Sequence, residues 1–269
     1  MWHGAADPAR TPPDARLISH SDAHAVSVTE DGLAVIRIAS FDDAALPAQL
    51  YACFAELSRA RGYVVDVRDN GGGNSNHADA IAGLFIDGDF RSCFAETQLY
   101  EPTFKAWAIY RDDLAPLTTD EAQRKLADDP FSLKLYRMRR NIFYTRDEGN
   151  AVVNPAPGRL RGPLAVLMNQ HTFSAAEDFV DVMKAYTSAV FIGNNTAGTS
   201  GQPLCVPLES GGFFRICTRR CIAQNGEDIY NRGFAPDVRV IPTAEDVAAG
   251  RDAALEKALA HLRSRLPRP

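Results

Sequence analysis

The stretch NQHTFSAAEDFVDVMKAY (169–186) sets Ser174 at the head of an amphipathic helix, directly after the apolar run PLAVLMN (163–169). Two kinds of chemistry meet at that serine. Serine is a favoured helix N-cap, and S-A-A-E is a capping-box pattern in which Glu177 reaches back to the backbone. The same place suits a nucleophile, because the helix dipole and free N–H groups stabilise negative charge and the N–H of Ala175 can help bind an oxyanion. A second loop, DVRDNGGGNSN (66–76), follows another apolar run. Its glycines Gly71, Gly72 and Gly73 let the backbone approach a ligand and aim N–H groups outward, a nest for phosphate or for the oxyanion of a tetrahedral intermediate. No Gly-Lys-Ser/Thr follows and the spacing is not Gly-x-Gly-x-x-Gly, which excludes a Walker loop and a dinucleotide fingerprint.

A serine hydroxyl needs a base within hydrogen-bond reach to attack at neutral pH. His77 opens the helix after the glycine loop and is placed to face the site, although a solvated histidine near a helix start is the plainer reading. His20 and His24 depend on how the N-terminal stretch folds. His171 lies three residues before Ser174 and His261 sits in the tail helix.

Alternating strand and helix patterns must position these loops. GLAVIRIASF (32–41) reads as a strand, and Leu46, Leu50, Phe54 and Leu57 recur at helical spacing until Gly62. YVVDV (63–67) and PLAVLMN are short continuous apolar runs, as in buried parallel strands. The helix from Ser174 puts Phe179, Val182, Met183 and Tyr186 on one face, and the tail helix carries a stripe of Leu255, Ala258, Leu259 and Leu262. That order is α/β. Residues 98–161 break it with charged, aromatic, mostly helical segments and read as an insertion or lid. Within them FKAWAIY and LKLYRMRRNIFY are candidates for holding an extended substrate, with core packing the alternative use of their aromatics. Residues 204–240 read as short strands with turns.

Composition bounds the rest. A chain of 269 residues, 45% apolar, suffices for one large domain or a domain with an appendage. The net charge of −5 is spread without a basic stripe, which speaks against nucleic acid. No apolar run reaches the roughly 20 residues of a membrane span. Residues 1–28 are expected to be a flexible lead-in or the remnant of an N-terminal domain, without the apolar core of a signal peptide, and residues 29–266 the main domain. Cys217 and Cys221 are expected to be reduced or, at most, joined as one local hairpin bridge. With no CxxC and no His-x-x-x-His, neither a metal site nor a cofactor is expected.

GYVVDVRDNGGG, GPLAVLMNQHTFSAAEDF, AVFIGNNTAGTSG and NRGFAPDVRV occur in the order found in the C-terminal processing peptidases, or tail-specific proteases. The chain resembles that family from about residue 32 to residue 262; its relatives include the tricorn protease core and interphotoreceptor retinoid-binding protein. The resemblance implies a ClpP/crotonase-like core of β-β-α units with a mostly helical insertion, a peptide or protein substrate, and often an exported or periplasmic setting. It places the nucleophile at Ser174 and the oxyanion hole at Ala175 with a glycine of the loop, Gly71 or Gly72.

The pattern departs from the family at the base. Where the tail-specific proteases carry a lysine 25 residues after the serine, this chain has Thr199. The tricorn-like branch uses a Ser-His pair further upstream and a glutamate three residues before the glycine of Gly-Val-x-Pro-Asp. Here that place holds Tyr230, with Glu227 and Asp228 nearby, and Ser19–His20 directly precedes the first core strand. Three readings stay open: a serine peptidase whose base is His77, His20 or a residue from a missing domain; a non-proteolytic binder of a hydrophobic peptide or small molecule in the same cleft; and a partner-binding module using the aromatic insertion. The chain also lacks a PDZ-like segment, which puts selection of C-terminal tails in doubt.

Overall fold

A computed structural model describes residues 11–92, 94–96, 101–139 and 151–266. The chain divides into two compact units, one of residues 1–93, 150–200 and 223–269 and one of residues 94–149 and 201–222.

The first unit opens with β1 (Ala15–His20), β2 (His24–Thr29) and β3 (Leu33–Ile38), followed by α1 (Leu46–Ala52), α2 (Phe54–Leu57), β4 (Gly62–Asp66), α3 (Ser75–Ala82) and β5 (Phe90–Arg91). In the second unit lie β6 (Phe94–Glu96), α4 (Glu101–Ile109), α5 (Thr119–Lys125) and α6 (Pro130–Arg139). The first unit resumes with β7 (Ala151–Val152), β8 (Leu164–Met168), α7 (Ala175–Tyr186) and β9 (Val190–Gly193). The second takes β10 (Leu204–Pro207), β11 (Phe213–Ile216) and β12 (Arg220–Ile222), and the first closes with β13 (Val238–Arg239), α8 (Ala244–Ala248) and α9 (Ala253–Arg265).

Seven strands form the main sheet in the order β1-β2-β3-β4-β8-β9-β13. The first three are antiparallel neighbours, and from β3 onward every pairing is parallel. The parallel strands are buried on both faces, which is why β4 and β8 read as continuous apolar runs rather than alternating ones. On one face Leu33, Val35, Val64, Ala165, Leu167 and Ile192 meet the tail helix through Ala254, Leu255, Ala258, Leu259 and Leu262. Arg68 reinforces that seam: its guanidinium is 2.7 Å from both Asp66 at the end of β4 and Asp252, whose carboxylate caps α9 through the N–H of Leu255. Leu262 is fully buried. Leu262→Ala is expected to destabilise the protein by about 2–5 kcal/mol, read as a lower urea midpoint; an unchanged midpoint would mean that the helix contributes no core.

The fold is the α/β core that the motif order implies. Its beginning differs from the sequence reading: residues 15–28, assigned there to a flexible lead-in or domain remnant, supply β1 and nearly all of β2 in the main sheet. The heavy Pro, Asp and Arg content before them masks a short hairpin, and β2 is buried because it lies between β1 and β3.

In the second unit Phe104, Ala108, Leu114, Leu135, Tyr136 and Met138 form a core of their own, with Trp107 packed against it. Most described aromatics of FKAWAIY therefore serve packing, while Tyr110 is exposed. The end of LKLYRMRRNIFY lies outside the described residues. Residues 201–222 belong to this unit as well, a long-range association that local pattern does not reveal. Cys53, Cys205 and Cys217 are free thiols; Cys93 lies outside the described residues.

Candidate active site

Ser174 joins β8 to α7 with φ 57° and ψ −129°. A non-glycine residue in that region costs about 1–3 kcal/mol and persists only where its surroundings hold it. The twist removes the serine side chain from capping. Its carbonyl starts the helix by accepting from the N–H groups of Glu177 (2.7 Å) and Asp178 (3.1 Å), but its hydroxyl makes no cap bond. The capping box expected from S-A-A-E is therefore absent. Glu177 turns inward instead, fully buried, and accepts from Thr196 Oγ1 (2.6 Å), Gly198 N (2.6 Å) and Thr199 N (2.8 Å). Burial raises the pKa of Glu177, and these three bonds oppose the rise. The glutamate thus fastens the 196–199 loop to the helix that begins at Ser174.

The glycine loop lies directly against the serine. Asn70, fully buried, donates from Nδ2 to Ile38 O (3.0 Å), accepts the N–H of Gly72 at Oδ1 (2.8 Å), and accepts Phe173 N at its carbonyl (3.1 Å). Gly72 has φ 95°, and a Cβ there would stand 2.7 Å from Ser174 Cβ and 2.8 Å from Phe173 O. An oxyanion donor must reach hydrogen-bonding distance of the reacting atom, and this loop is close enough. The N–H of Gly72 is taken by Asn70; among the described residues the N–H groups of Gly71 and Ala175 have no acceptor.

The histidines fall into different settings. His77 is half-buried, with Nδ1 2.8 Å from Phe41 O and Nε2 3.5 Å from Asn74 Nδ2. A carbonyl only accepts, so Nδ1 carries the proton and Nε2 keeps its lone pair. Among the described residues no hydrogen bond joins His77 to Ser174. His24 is buried between Ser19 Oγ (3.0 Å) and Ser21 Oγ (2.9 Å), and burial pushes its pKa down. The Ser-His pairing near the N-terminus is thus made by His24. His20, on β1, and His171 are exposed. Tyr230 is exposed, and Asp228 Oδ1 accepts its N–H.

Sequence reasoning missed a group of buried carboxylates behind the serine, Asp79, Asp178 and Asp181. Their signal is faint, because acidic residues on an amphipathic helix are ordinarily exposed. Among the described residues no group of three or more His, Cys, Asp or Glu side chains could hold a metal ion, and no helix is long and apolar enough to cross a membrane.

Fold and site together define a mixed α/β protein whose helix-head serine is pressed against a glycine nest. The chain belongs to peptidase family S41, whose model matches residues 32–240. Over 212 residues it is 25% identical to the chloroplastic C-terminal processing peptidase of Tetradesmus obliquus, covering 78% of this chain and 35% of that protein. The chain thus spans about a third of the length of that curated relative. Two solved structures share the fold. One is a candidate peptidase from Parabacteroides merdae (TM-score 0.65, 23% identity, 93% of this chain and 66% of that one). The other is mature CPAF (TM-score 0.63, 20% identity, 95% of this chain and 56% of that one).

Proposed function

We propose that the chain is a serine-type endopeptidase in which Ser174 Oγ attacks the carbonyl of a peptide or protein substrate. The observation that carries this reading is the backbone of Ser174, held at positive φ so that its hydroxyl is released from capping and presented beside the glycine loop. In this reading the N–H groups of Ala175 and Gly71 hold the oxyanion, while Gly72 contributes close approach. Attack forms an acyl-serine and releases the amine; water then cleaves the ester and restores the hydroxyl. His77 supplies the base, its ring already in the tautomer that leaves Nε2 able to accept the serine proton. Thr199, at the place of the family lysine, cannot act as a base, and its N–H is engaged by Glu177.

Incubation with a labelled fluorophosphonate between about pH 6 and 9, followed by peptide mapping, tests the proposal. An adduct on Ser174 is expected, and His77→Ala is expected to slow its formation by about a hundredfold or more. Unaltered labelling of His77→Ala would move the base to His20 or to a residue outside this chain. The lack of a base bonded to Ser174 among the described residues favours a second reading, a non-proteolytic binder of a hydrophobic peptide or small ligand in the same cleft. Failure of the wild type to label at any pH would select it.

A further inference from the structure

Asp178 stands on α7 just over one turn from Ser174. Its carboxylate is 3% exposed and accepts a hydroxyl at each oxygen: Ser75 Oγ at Oδ2 (2.7 Å) and Ser200 Oγ at Oδ1 (2.8 Å). Ser75 begins α3, the helix that issues from the glycine loop. Ser200 closes the loop that Glu177 grips at Thr196, Gly198 and Thr199. One side chain on the nucleophile's helix thus reaches both loops of the site.

Two further buried carboxyls flank it. Asp79, one turn beyond Ser75 on α3, has an oxygen with no partner, and its carboxyl is hydrogen-bonded by Ser92. Asp181, on α7, accepts the N–H of Gln224 at Oδ1 (3.0 Å) and leaves Oδ2 without a partner. An ionised carboxylate with an orphaned oxygen in a dry site is costly, so both groups favour the neutral form. Burial, reinforced by the charge of Asp178, pushes each up to about 7. Among the described residues the neighbouring titratable groups are few, and Glu177, next to Asp178 on α7, feels its charge. On α3, His77 is turned to Phe41 O; on α7, Glu177 holds the 196–199 loop and Lys184 lies over the ring of Phe191; Arg91, beside Ser92, is exposed; Gln224 is neutral.

We infer that Asp178 is a positioning residue for Ser174: by accepting a hydroxyl from Ser75 and another from Ser200, it fixes α3 and the 196–200 loop against the helix that carries the nucleophile. This rests on the reading of Ser174 as nucleophile. The cluster makes the arrangement sensitive to pH in a definite direction. A carboxyl whose pKa is raised by folding favours the folded arrangement while protonated, and that advantage is lost as pH rises through the folded value. Near pH 6 Asp79 and Asp181 are neutral. Above about 7 they ionise beside Asp178, and like charges push α3 and α7 apart. Reactivity of Ser174 therefore falls on the alkaline side, where deprotonation of a base would by itself raise it.

The test compares fluorophosphonate labelling rates of wild type, Asp178→Asn and the double variant Asp79→Asn/Asp181→Asn between about pH 5.5 and 8.5. The double variant is expected to match wild type near pH 6 and to exceed it about tenfold at the alkaline end. Asp178→Asn is expected to label about tenfold more slowly at every pH while keeping wild-type circular dichroism. Superimposable profiles for wild type and the double variant, or an Asp178→Asn rate within about twofold of wild type, would overturn the inference. Amide hydrogen exchange at residues 75–79 and 198–202, corrected for intrinsic rates, gives a reading independent of chemistry. Protection lost in wild type at alkaline pH but kept in the double variant supports the tie even if Ser174 proves unreactive; equal protection in both overturns it.

Discussion

Replacing Ser174 with alanine is expected to reduce fluorophosphonate incorporation and peptide hydrolysis to background while leaving unfolding free energy within about 0.5 kcal/mol of wild type. A serine at a helix head ordinarily contributes about 1 kcal/mol through its cap bond, and the sequence pattern implied that loss. Here the hydroxyl caps nothing, so no cap is removed. Alanine inherits the same backbone at φ 57° and with it the same strain. Glycine does not, since it populates positive φ without a Cβ penalty. Ser174→Gly is accordingly expected to be more stable than wild type by about 1–2 kcal/mol and equally unreactive, the signature of strain stored at a working residue. Urea melts of both variants beside wild type decide the matter. A loss of about 1 kcal/mol or more in Ser174→Ala would restore the cap, and retained labelling would place the nucleophile elsewhere.

The core was legible wherever burial is two-sided. YVVDV and PLAVLMN have no polar alternation because β4 and β8 are buried on both faces, and the Leu255–Leu262 stripe is the helical half of the seam on one of them. The hairpin of β1 and β2 was not legible, because its burial comes from sheet neighbours rather than from its own composition. At the site, the serine and the glycine loop stood out only as a pair in order along the chain. The backbone of Ser174 could not be read, since S-A-A-E serves a capping box and an inward-turned glutamate equally well. The choice is made by Thr196, Gly198 and Thr199, about twenty residues downstream. Nothing in the local pattern marks Asp178 and Asp181 as buried, since aspartates on a helix are ordinarily exposed. They are buried because α3 and the segments around Ser92 and Gln224 close over them, a contact set by topology.

Gly72→Ala is expected to cut labelling of Ser174 by at least about a hundredfold. The residue has φ 95°, which an alanine adopts at a cost of about 1 kcal/mol or more. Space is the harder constraint. Its Cβ would lie 2.7 Å from Ser174 Cβ, 2.8 Å from Phe173 O and 3.0 Å from Ala175 N, so either the loop or the serine turn must move. Two of those neighbours are backbone atoms and the third is bonded directly to a strained Cα, leaving no flexible side-chain end to yield. A shift of about 1 Å at a reacting centre already costs on the order of a hundredfold in rate. Gly71→Ala is the matched control. A Cβ at Gly71 would meet only the ring of Phe173, at 3.5 Å, and the substitution keeps the N–H assigned to the oxyanion. It is expected to change the rate by no more than about threefold. Equal damage from the two alanines would mean that the loop tolerates no side chain anywhere and acts as a whole. Damage confined to Gly72 would locate the requirement at its contact with Ser174, where the geometry puts it.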